Sequence, residues 1–312
     1  MYISKNISLV FLVLVPFLIG GCNEKVEVHT KSMDRTYLVV EAILTDKADE
    51  PQKVTLSRSI DYFEKEVPAP VSGAEVIISD GDSDYPFTET PSGSGCYIGP
   101  EGFYGTPGTT YKLSIEAEID NEKNHYEAVS TMVERGFDLT DIDYMYGGNE
   151  KMNLDSLWLV AMWGKDYPIT SYYFLGIDLN GTRFPIELSE VIDDKYFAGQ
   201  DVVCFPVKTM SQTAMAQKQY GVCGKYLERG DVITFTVYSI PKEYFDFFMG
   251  FISNSVGSAI PLLQSQPANC PTNIKGGSAV GFFAACSTST ASVEIEDPLR
   301  PYYKKALTFP GY

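Results

Sequence analysis

Residues 37–43, Tyr-Leu-Val-Val-Glu-Ala-Ile, carry the pattern that decides the fold. In this stretch Leu38, Val40 and Ala42 fall on one face of an extended chain, and the residues between them fall on the other. This period of two predicts a half-buried β-strand. Similar short stretches recur about every 10 residues, with turn sequences between them, which is typical of a β-sandwich. We place this N-terminal β-sandwich at residues 34–134.

The second half of the chain, residues 135–300, is predicted to be a second β-rich domain with helical insertions. Residues 134–153 are rich in Gly and Asp, and we interpret them as the linker or as the entry to this domain. The sequence Asn180-Gly181 predicts a tight hairpin between two strands. Two stretches have helical spacing, residues 208–220 and a segment that starts near Pro241. The expected fold class is therefore mainly β, with two sandwich domains of immunoglobulin-like or transthyretin-like type.

The N-terminus has the form of a bacterial lipoprotein signal. A basic start and an apolar run from Ile7 to Ile19 lead into Gly20-Gly21-Cys22. We expect residues 1–21 to be removed and Cys22 to carry lipid, with residues 22–33 as an acidic tether and residues 301–312 as a C-terminal tail. The alternative is a transmembrane anchor, but the apolar run is too short to span a bilayer comfortably. The predicted location is the outer membrane, with the protein facing the cell exterior.

The composition narrows the classes of partner. The formal net charge is −17, which argues against nucleic acid and against adsorption to an anionic bilayer, since both need basic surfaces. The two histidines are His29, in the predicted tether, and His125, which leaves little basis for histidine chemistry. The sequence lacks the GxSxG, HExxH and phosphate-loop motifs. We therefore expect no enzyme, no catalytic residue and no cofactor.

Several segments resemble a known family. Residues 70–76 (PVSGAEV), residues 95–97 (GCY) and residues 108–113 (GTTYKL) resemble a transthyretin-like, carboxypeptidase-regulatory type of sandwich. Residues 271–284, PTNIKGG followed by VGFFA, are more distinctive. With the lipoprotein signal, they resemble the Bacteroidota lipoproteins catalogued as domain of unknown function 4249. That resemblance implies an accessory role at the outer membrane beside a TonB-dependent transporter, and it supplies no catalytic residue to carry over.

The cysteines are candidates for disulfide bonds. If Cys22 carries lipid, five others remain: Cys96, Cys204, Cys223, Cys270 and Cys286. An exported protein can form disulfides, and pairing of sequence neighbours gives Cys204–Cys223 and Cys270–Cys286. Four cysteines allow three pairings, so the connectivity stays open. Cys96 would then be either buried or a free thiol, and a zinc site is disfavoured because no close pair of cysteines exists.

Three other features have a functional and a structural interpretation. Asp80, Asp82 and Asp84 alternate as calcium ligands do, but the later EF-hand positions do not fit, so a solvated hairpin tip is favoured. Residues 276–278, Gly-Gly-Ser, are expected to form a backbone turn rather than a phosphate cradle. The aromatic residues at positions 244–251 have helical spacing, which favours packing on a sheet over a partner-binding surface.

Trp158 and Trp163 lie in a strand-like stretch and should face opposite sides of a sheet. One of them would be able to line a sugar-binding or peptide-binding face, but a place in the core or at its rim is favoured.

The sequence predicts a binding or accessory module in nutrient uptake, without naming its ligand. An adhesin or structural surface lipoprotein is the alternative. A hydrolase that uses carboxylates without a recognisable motif is a third hypothesis.

Overall fold

The computed structural model describes residues 36–60, 67–147, 157–184, 190–195, 198–211, 227–257 and 271–304. All of these lie in one compact unit, residues 35–312. The strands are β1 (Leu38–Thr45), β2 (Lys53–Arg58), β3 (Glu75–Ser79), β4 (Asp84–Glu89), β5 (Cys96–Ile98), β6 (Thr110–Ile119), β7 (Glu122–Thr131), β8 (Phe137–Tyr146), β9 (Leu157–Asp166), β10 (Tyr172–Leu179), β11 (Thr182–Arg183), β12 (Val191–Asp193), β13 (Asp201–Ser211), β14 (Val232–Ile240) and β15 (Ala279–Glu294). Within the described part of the chain, the helix α1 spans Lys242–Gly257. The prediction of a mainly β protein is confirmed.

The strands form two sheets. The larger sheet has the order β11-β10-β14-β15-β1-β2-β5-β4-β3-β6-β7, with β12 also paired to β10. The smaller sheet has the order β13-β9-β8. β15 is the longest strand, and it pairs in parallel with β1 along its first half and antiparallel with β14 along its second half.

The parallel pairing of β1 with β15 depends on a glycine. Gly281 lies beside Val40 and has a φ of +100°. A Cβ at this position would stand 2.0 Å from the carbonyl oxygen of Val40, well inside van der Waals contact. Gly281 therefore lets the two backbones approach closely enough to pair. It belongs to the sequence VGFFA that carried the family resemblance.

Apolar side chains form separate buried clusters on the two halves of the sheet. One cluster takes its residues from β1 to β7 and from the first half of β15, and it includes Leu38, Tyr97 and Phe283. A second lies between β10, β14 and the smaller sheet, and it includes Trp158 and Phe235. The expected boundary near residue 134 between two domains is not tested by these contacts and stays a prediction.

The predicted hairpin turn and the predicted start of a helix at Pro241 are both present. Asn180 and Gly181 have φ values of 51° and 76° and join β10 to β11, which is the backbone geometry of a type I′ turn. Helix α1 follows Pro241, whose carbonyl oxygen accepts hydrogen bonds from the backbone N–H groups of Tyr244 and Phe245. Both the hairpin and the second helix are confirmed.

Two expectations for the second half were wrong. Residues 208–211 belong to strand β13 rather than to a helix, and the remainder of that predicted helix lies outside the described residues. Residues 137–146 form strand β8, so the linker interpretation is wrong, while the alternative, the entry to a second domain, stays a prediction. An irregularity between Leu139 and Asp141 hid the pattern, because the core residues change there from odd positions, Phe137 and Leu139, to even positions, Ile142 and Tyr144.

Candidate binding face

A stripe of hydroxyl side chains covers part of the larger sheet. Thr234 and Thr236 on β14 lie opposite Ser292 and Thr290 on β15. The Oγ atoms are 2.8 Å apart in the pair Thr234–Ser292 and 3.1 Å apart in the pair Thr236–Thr290. We call these four residues the hydroxyl face. Thr290 and Ser292 are exposed, so the face presents hydrogen-bonding groups to solvent.

Two basic side chains border the hydroxyl face and contact Tyr238. Lys47 comes from the loop between β1 and β2, and its Nζ lies 5.9 Å from the centre of the Tyr238 ring. It also donates a hydrogen bond of 3.3 Å to Thr236 Oγ1. The guanidinium carbon of Arg183 lies 5.4 Å from the same ring, and Arg183 Nη2 donates a 2.8 Å hydrogen bond to the Tyr238 hydroxyl. These contacts fix both cations beside the polar stripe.

Both cations are held by carboxylates. Lys47 Nζ lies 2.7 Å from Glu50, and Arg183 Nε lies 2.8 Å from Asp178. The Lys47 side chain is 9% exposed, while that of Arg183 is 36% exposed. Arg183 reaches this position because residue 176 is glycine, since a Cβ at Gly176 would stand 2.0 Å from the guanidinium. Arg183 is the more accessible of the two cations.

Helix α1 closes one end of this face. Tyr244 and Phe248 are buried, and the ring of Tyr244 lies 5.1 Å from that of Phe282 on β15. The rings of Phe248 and Phe174 are stacked, with their centroids 5.9 Å apart. The predicted packing of the aromatic helix on a sheet is confirmed for these residues. The side chain of Phe251 lies outside the described residues.

The predicted cysteine sites are only partly described. Cys22, Cys223 and Cys270 lie outside the described residues. Cys204, the predicted partner of Cys223, and Cys286, the predicted partner of Cys270, are free thiols, and so is Cys96. No disulfide is seen among the described residues, and the two pairings stay predictions.

The two free thiols of the second half differ in environment. Cys286 is fully buried on β15, and this burial raises the pKa of its thiol. Cys204 is half-buried at an irregularity of β13 and has a φ of 53°. Burial, followed by the negative charge of Asp143, raises the pKa of the Cys204 thiol. Both thiols are therefore protonated and weakly nucleophilic at neutral pH.

The aspartate-rich segment forms the predicted hairpin tip between β3 and β4. Asp80 Oδ1 accepts hydrogen bonds from the backbone N–H groups of Asp82, at 3.0 Å, and of Ser83, at 2.8 Å. The hydroxyl of Tyr85 donates to the other carboxylate oxygen. The hydrogen bond from Ser83, followed by that from Tyr85, lowers the pKa of the Asp80 carboxyl. Among the described residues, no group of three or more His, Cys, Asp or Glu side chains is placed to hold a metal ion.

Gly276 and Gly277 lie in a bend directly before β15, as predicted, with φ values of 91° and 53°. A Cβ at Gly276 would meet the carbonyl oxygen of His125 at 2.2 Å, so this glycine lets the bend pass close to β7.

Trp158 and Trp163 are both buried. Trp158 packs in the core beneath the smaller sheet, whereas Trp163 contacts Tyr303 with a ring separation of 5.7 Å. The interpretation of the tryptophans as residues of the core and its rim is confirmed.

The sequence analysis missed a buried acidic pair. Asp166 is fully buried and accepts hydrogen bonds from the hydroxyl of Tyr173, at 2.5 Å, and from the backbone N–H of Gly199, at 2.9 Å. Asp194 accepts a 2.6 Å hydrogen bond from the backbone N–H of Ser171. Burial and the charge of Asp166 raise the pKa of the Asp194 carboxyl. No local motif marks this pair, because its members come from two separate segments.

A C-terminal segment that follows β15 was also missed. Arg300 is buried, forms an ion pair with Asp143, and lies over the ring of Tyr144 at 4.1 Å. The indole nitrogen of Trp158 donates a 2.6 Å hydrogen bond to the carbonyl oxygen of Pro298. These contacts attach the segment to β8 and β9.

The sequence matches the model of a known protein family. The family model described as domain of unknown function 4249 matches residues 23–292. The chain belongs to this family, which confirms that part of the resemblance. No curated protein matches the chain. In the described ranges, no helix is both long enough and apolar enough to cross a bilayer.

Proposed function

We propose that this member of the domain of unknown function 4249 family is a lipid-anchored binding module of the outer membrane. It faces the cell exterior and assists a TonB-dependent transporter, or another envelope complex, in nutrient uptake. The observation that carries the proposal is the sequence of residues 18–22, Leu-Ile-Gly-Gly-Cys, after an apolar run. Lipid on Cys22 holds the chain at the membrane. The acidic body then needs no membrane-binding surface of its own.

The hydroxyl face supports the binding role. Thr290 and Ser292 are exposed on β15, and the partly accessible guanidinium of Arg183 contacts Tyr238 on the neighbouring strand β14. Hydroxyl groups can donate and accept hydrogen bonds, and a guanidinium donates in a fixed planar geometry. A polar ligand, or a polar surface of a partner, is therefore the chemistry that fits this face.

Mass spectrometry of the mature protein tests the anchor. We expect the full-length chain, expressed in its own envelope, to lose residues 1–21 and to gain the mass of acyl chains at Cys22. Cys22→Ser is expected to abolish the acyl mass and to release the protein from the membrane fraction. Cys96→Ser is the control, because it removes a different cysteine, one that lies in the folded body and is half-buried there. An intact N-terminus on the membrane-bound protein would refute the anchor.

Affinity capture from detergent-solubilised membranes tests the accessory role. Recovery of a β-barrel transporter in fixed stoichiometry is expected, and Thr290→Lys should reduce it if the hydroxyl face is the contact. Thr110→Lys is a matched control, because Thr110 is also an exposed threonine in a cross-strand pair, with Thr131 at 2.8 Å. Capture of fimbrial or matrix components instead would favour the alternative, an adhesin or structural surface lipoprotein.

We also infer finer features of the fold and origin. The two buried clusters at the two ends of β15 support two sandwiches that share this strand. The N-terminal one would be transthyretin-like, as residues 70–76 and 108–113 indicate, and the protein would come from a bacterium of the Bacteroidota. Two resolved transitions in urea unfolding would support separate domains, and one cooperative transition would argue against them.

A further inference from the structure

Among the described strands, the second half of β15 pairs with β14 on one side and with no strand on the other side. β1 pairs with β15 from Ala279 as far as Cys286, opposite Thr45. Beyond that point β14 continues to pair with β15 up to Glu294. Among the described residues, no strand pairs with this part of β15 on the side that β1 occupied, so β15 is an edge strand of the described sheet.

The direction of the backbone groups along this edge follows from one pair of hydrogen bonds. The N–H and the carbonyl of Ile295 bond to Asp231 and Gly230, which lie directly before β14. In an antiparallel pair, the N–H and C=O of a residue point to the same side, and successive residues alternate. The odd-numbered residues of this segment therefore bond to β14. The backbone N–H and C=O groups of Thr290, Ser292 and Glu294 therefore point away from β14.

Four backbone N–H groups of β15 point away from β14. The first one has a hydrogen-bond partner, and the other three have none among the described residues. The N–H of Thr288 donates a 2.8 Å hydrogen bond to the carboxylate of Asp46. In the described part of the chain, the N–H groups of Thr290, Ser292 and Glu294 have no hydrogen-bond partner. All three residues are exposed. We call these three residues the open edge.

An open edge is a template for another strand, and proteins usually protect it with proline, bulges or several charges. The open edge contains no proline and one charged side chain, Glu294. The pairing of β14 with β15 is regular throughout this segment, without a bulge. The edge therefore keeps the geometry that a further strand needs.

We propose that the open edge binds an extended, basic segment of a partner protein by β-strand addition. The added strand would continue the line of β1 and satisfy the three N–H groups. Glu294 forms no ion pair among the described residues, and the chain has a net charge of −17, so basic side chains in the added strand complement the site. The proposal rests on the binding role proposed above, but it does not depend on the lipid anchor.

A defined peptide tests the proposal. The probe is an eight-residue peptide of alternating threonine and lysine, added to the purified full-length chain in detergent. We expect hydrogen exchange at the amides of Thr290, Ser292 and Glu294 to slow by about tenfold or more at saturating peptide. The same peptide with alternate amides N-methylated should have no effect, because its backbone cannot pair.

Two variants separate the backbone from the side chain. Ser292→Pro removes an outward N–H, which an edge strand tolerates, and should weaken the peptide at least about fivefold, as expected for a lost hydrogen bond. Ser292→Ala removes the same hydroxyl but keeps the N–H, so it should bind the peptide at least about fivefold more tightly than Ser292→Pro does. Equal melting temperatures of the two variants show that both fold.

Three results would overturn the proposal. The first is unchanged exchange at the open edge with saturating peptide. The second is equal binding of a peptide of alternating threonine and glutamate, which would remove the argument from charge. The third is a dimer in sedimentation whose open-edge amides are protected without peptide, which would assign the edge to a second copy of the chain. Membrane retention of the Ser292 variants is measured in parallel, so failure at the edge is distinguished from failure of the anchor.

Discussion

Replacing Gly281 with alanine is expected to lower the free energy of unfolding by about 2–6 kcal/mol. Two effects contribute. At φ +100°, an L-residue is strained by about 1–3 kcal/mol. The new Cβ would lie 2.0 Å from the carbonyl oxygen of Val40, and relief of that overlap must separate β1 from β15. We take the typical cost of overpacking, about 1–3 kcal/mol, for this second effect.

Gly81→Ala is the matched control. Gly81 has a φ of +95°, close to that of Gly281, but nothing lies within 4 Å of a Cβ built at this position. It should therefore show the strain without the overlap. Urea unfolding of both variants at 25 °C gives the two free energies, and their difference isolates the contact between the strands. Equal losses in the two variants would refute the close approach of β1 and β15 at Gly281.

Three further substitutions test charged groups. Arg300→Ala is expected to cost about 3–5 kcal/mol in urea unfolding, because it removes one partner of the buried ion pair between Arg300 and Asp143. Asp194→Asn is expected to be at least as stable as the parent at pH 7 and to lose this advantage as the pH falls, because burial and the charge of Asp166 raise the pKa of the Asp194 carboxyl. His125→Gln is expected to lower the melting temperature at about pH 5.5–6, below the ordinary histidine pKa of about 6.5, and to have a smaller effect at alkaline pH.

The direction of each pH dependence follows from whether the folded or the unfolded state binds the proton of that group more tightly. Hydrogen bonds to Glu127 and then to Glu116 raise the pKa of His125. Its stabilising contribution is therefore complete below the unfolded pKa of about 6.5 and is lost as the pH rises through the folded pKa. For Asp194 the folded state binds the proton more tightly, so protonation at low pH relieves a cost that is present at pH 7.

The controls and contrary outcomes are specific to each substitution. Lys304→Ala removes an exposed cation near the same terminus and should cost less than about 1 kcal/mol, so equal losses for Lys304 and Arg300 would contradict the buried pair. A constant stability difference from pH 4 to pH 7 would contradict the role given to Asp194. A His125→Gln effect that grows with pH would contradict the interaction with its two glutamates.

The features that the sequence predicted well depend on neighbouring residues. A type I′ turn needs two adjacent residues with positive φ, and Asn180-Gly181 supplies both. Helix α1 starts after Pro241 for an equally local reason, because proline fits the first turn of a helix. The alternation of residues 37–43 predicted β1 because side-chain direction in a strand repeats every two residues.

The features that it did not predict depend on residues far apart in the chain. Lys47 and Thr236 are 189 positions apart, yet they meet at the hydroxyl face. Arg300 and Asp143 are 157 positions apart, and no local sequence motif around either residue predicts their ion pair. Strand β8 was missed for a different reason: an irregularity between Leu139 and Asp141 interrupts its period of two, and Asp143 is buried although it is charged.

The open edge shows why a binding site of this kind leaves little trace in a sequence. Thr290, Ser292 and Glu294 are ordinary surface residues, and what they offer a partner is the backbone that every residue has. Their position makes them accessible. β1 leaves the sheet after Thr45, and the carboxylate of Asp46 caps the next outward N–H of β15. A single turn after β1 thus ends the parallel pairing and exposes the remainder of β15, so the end of one strand determines where a partner's strand can be added.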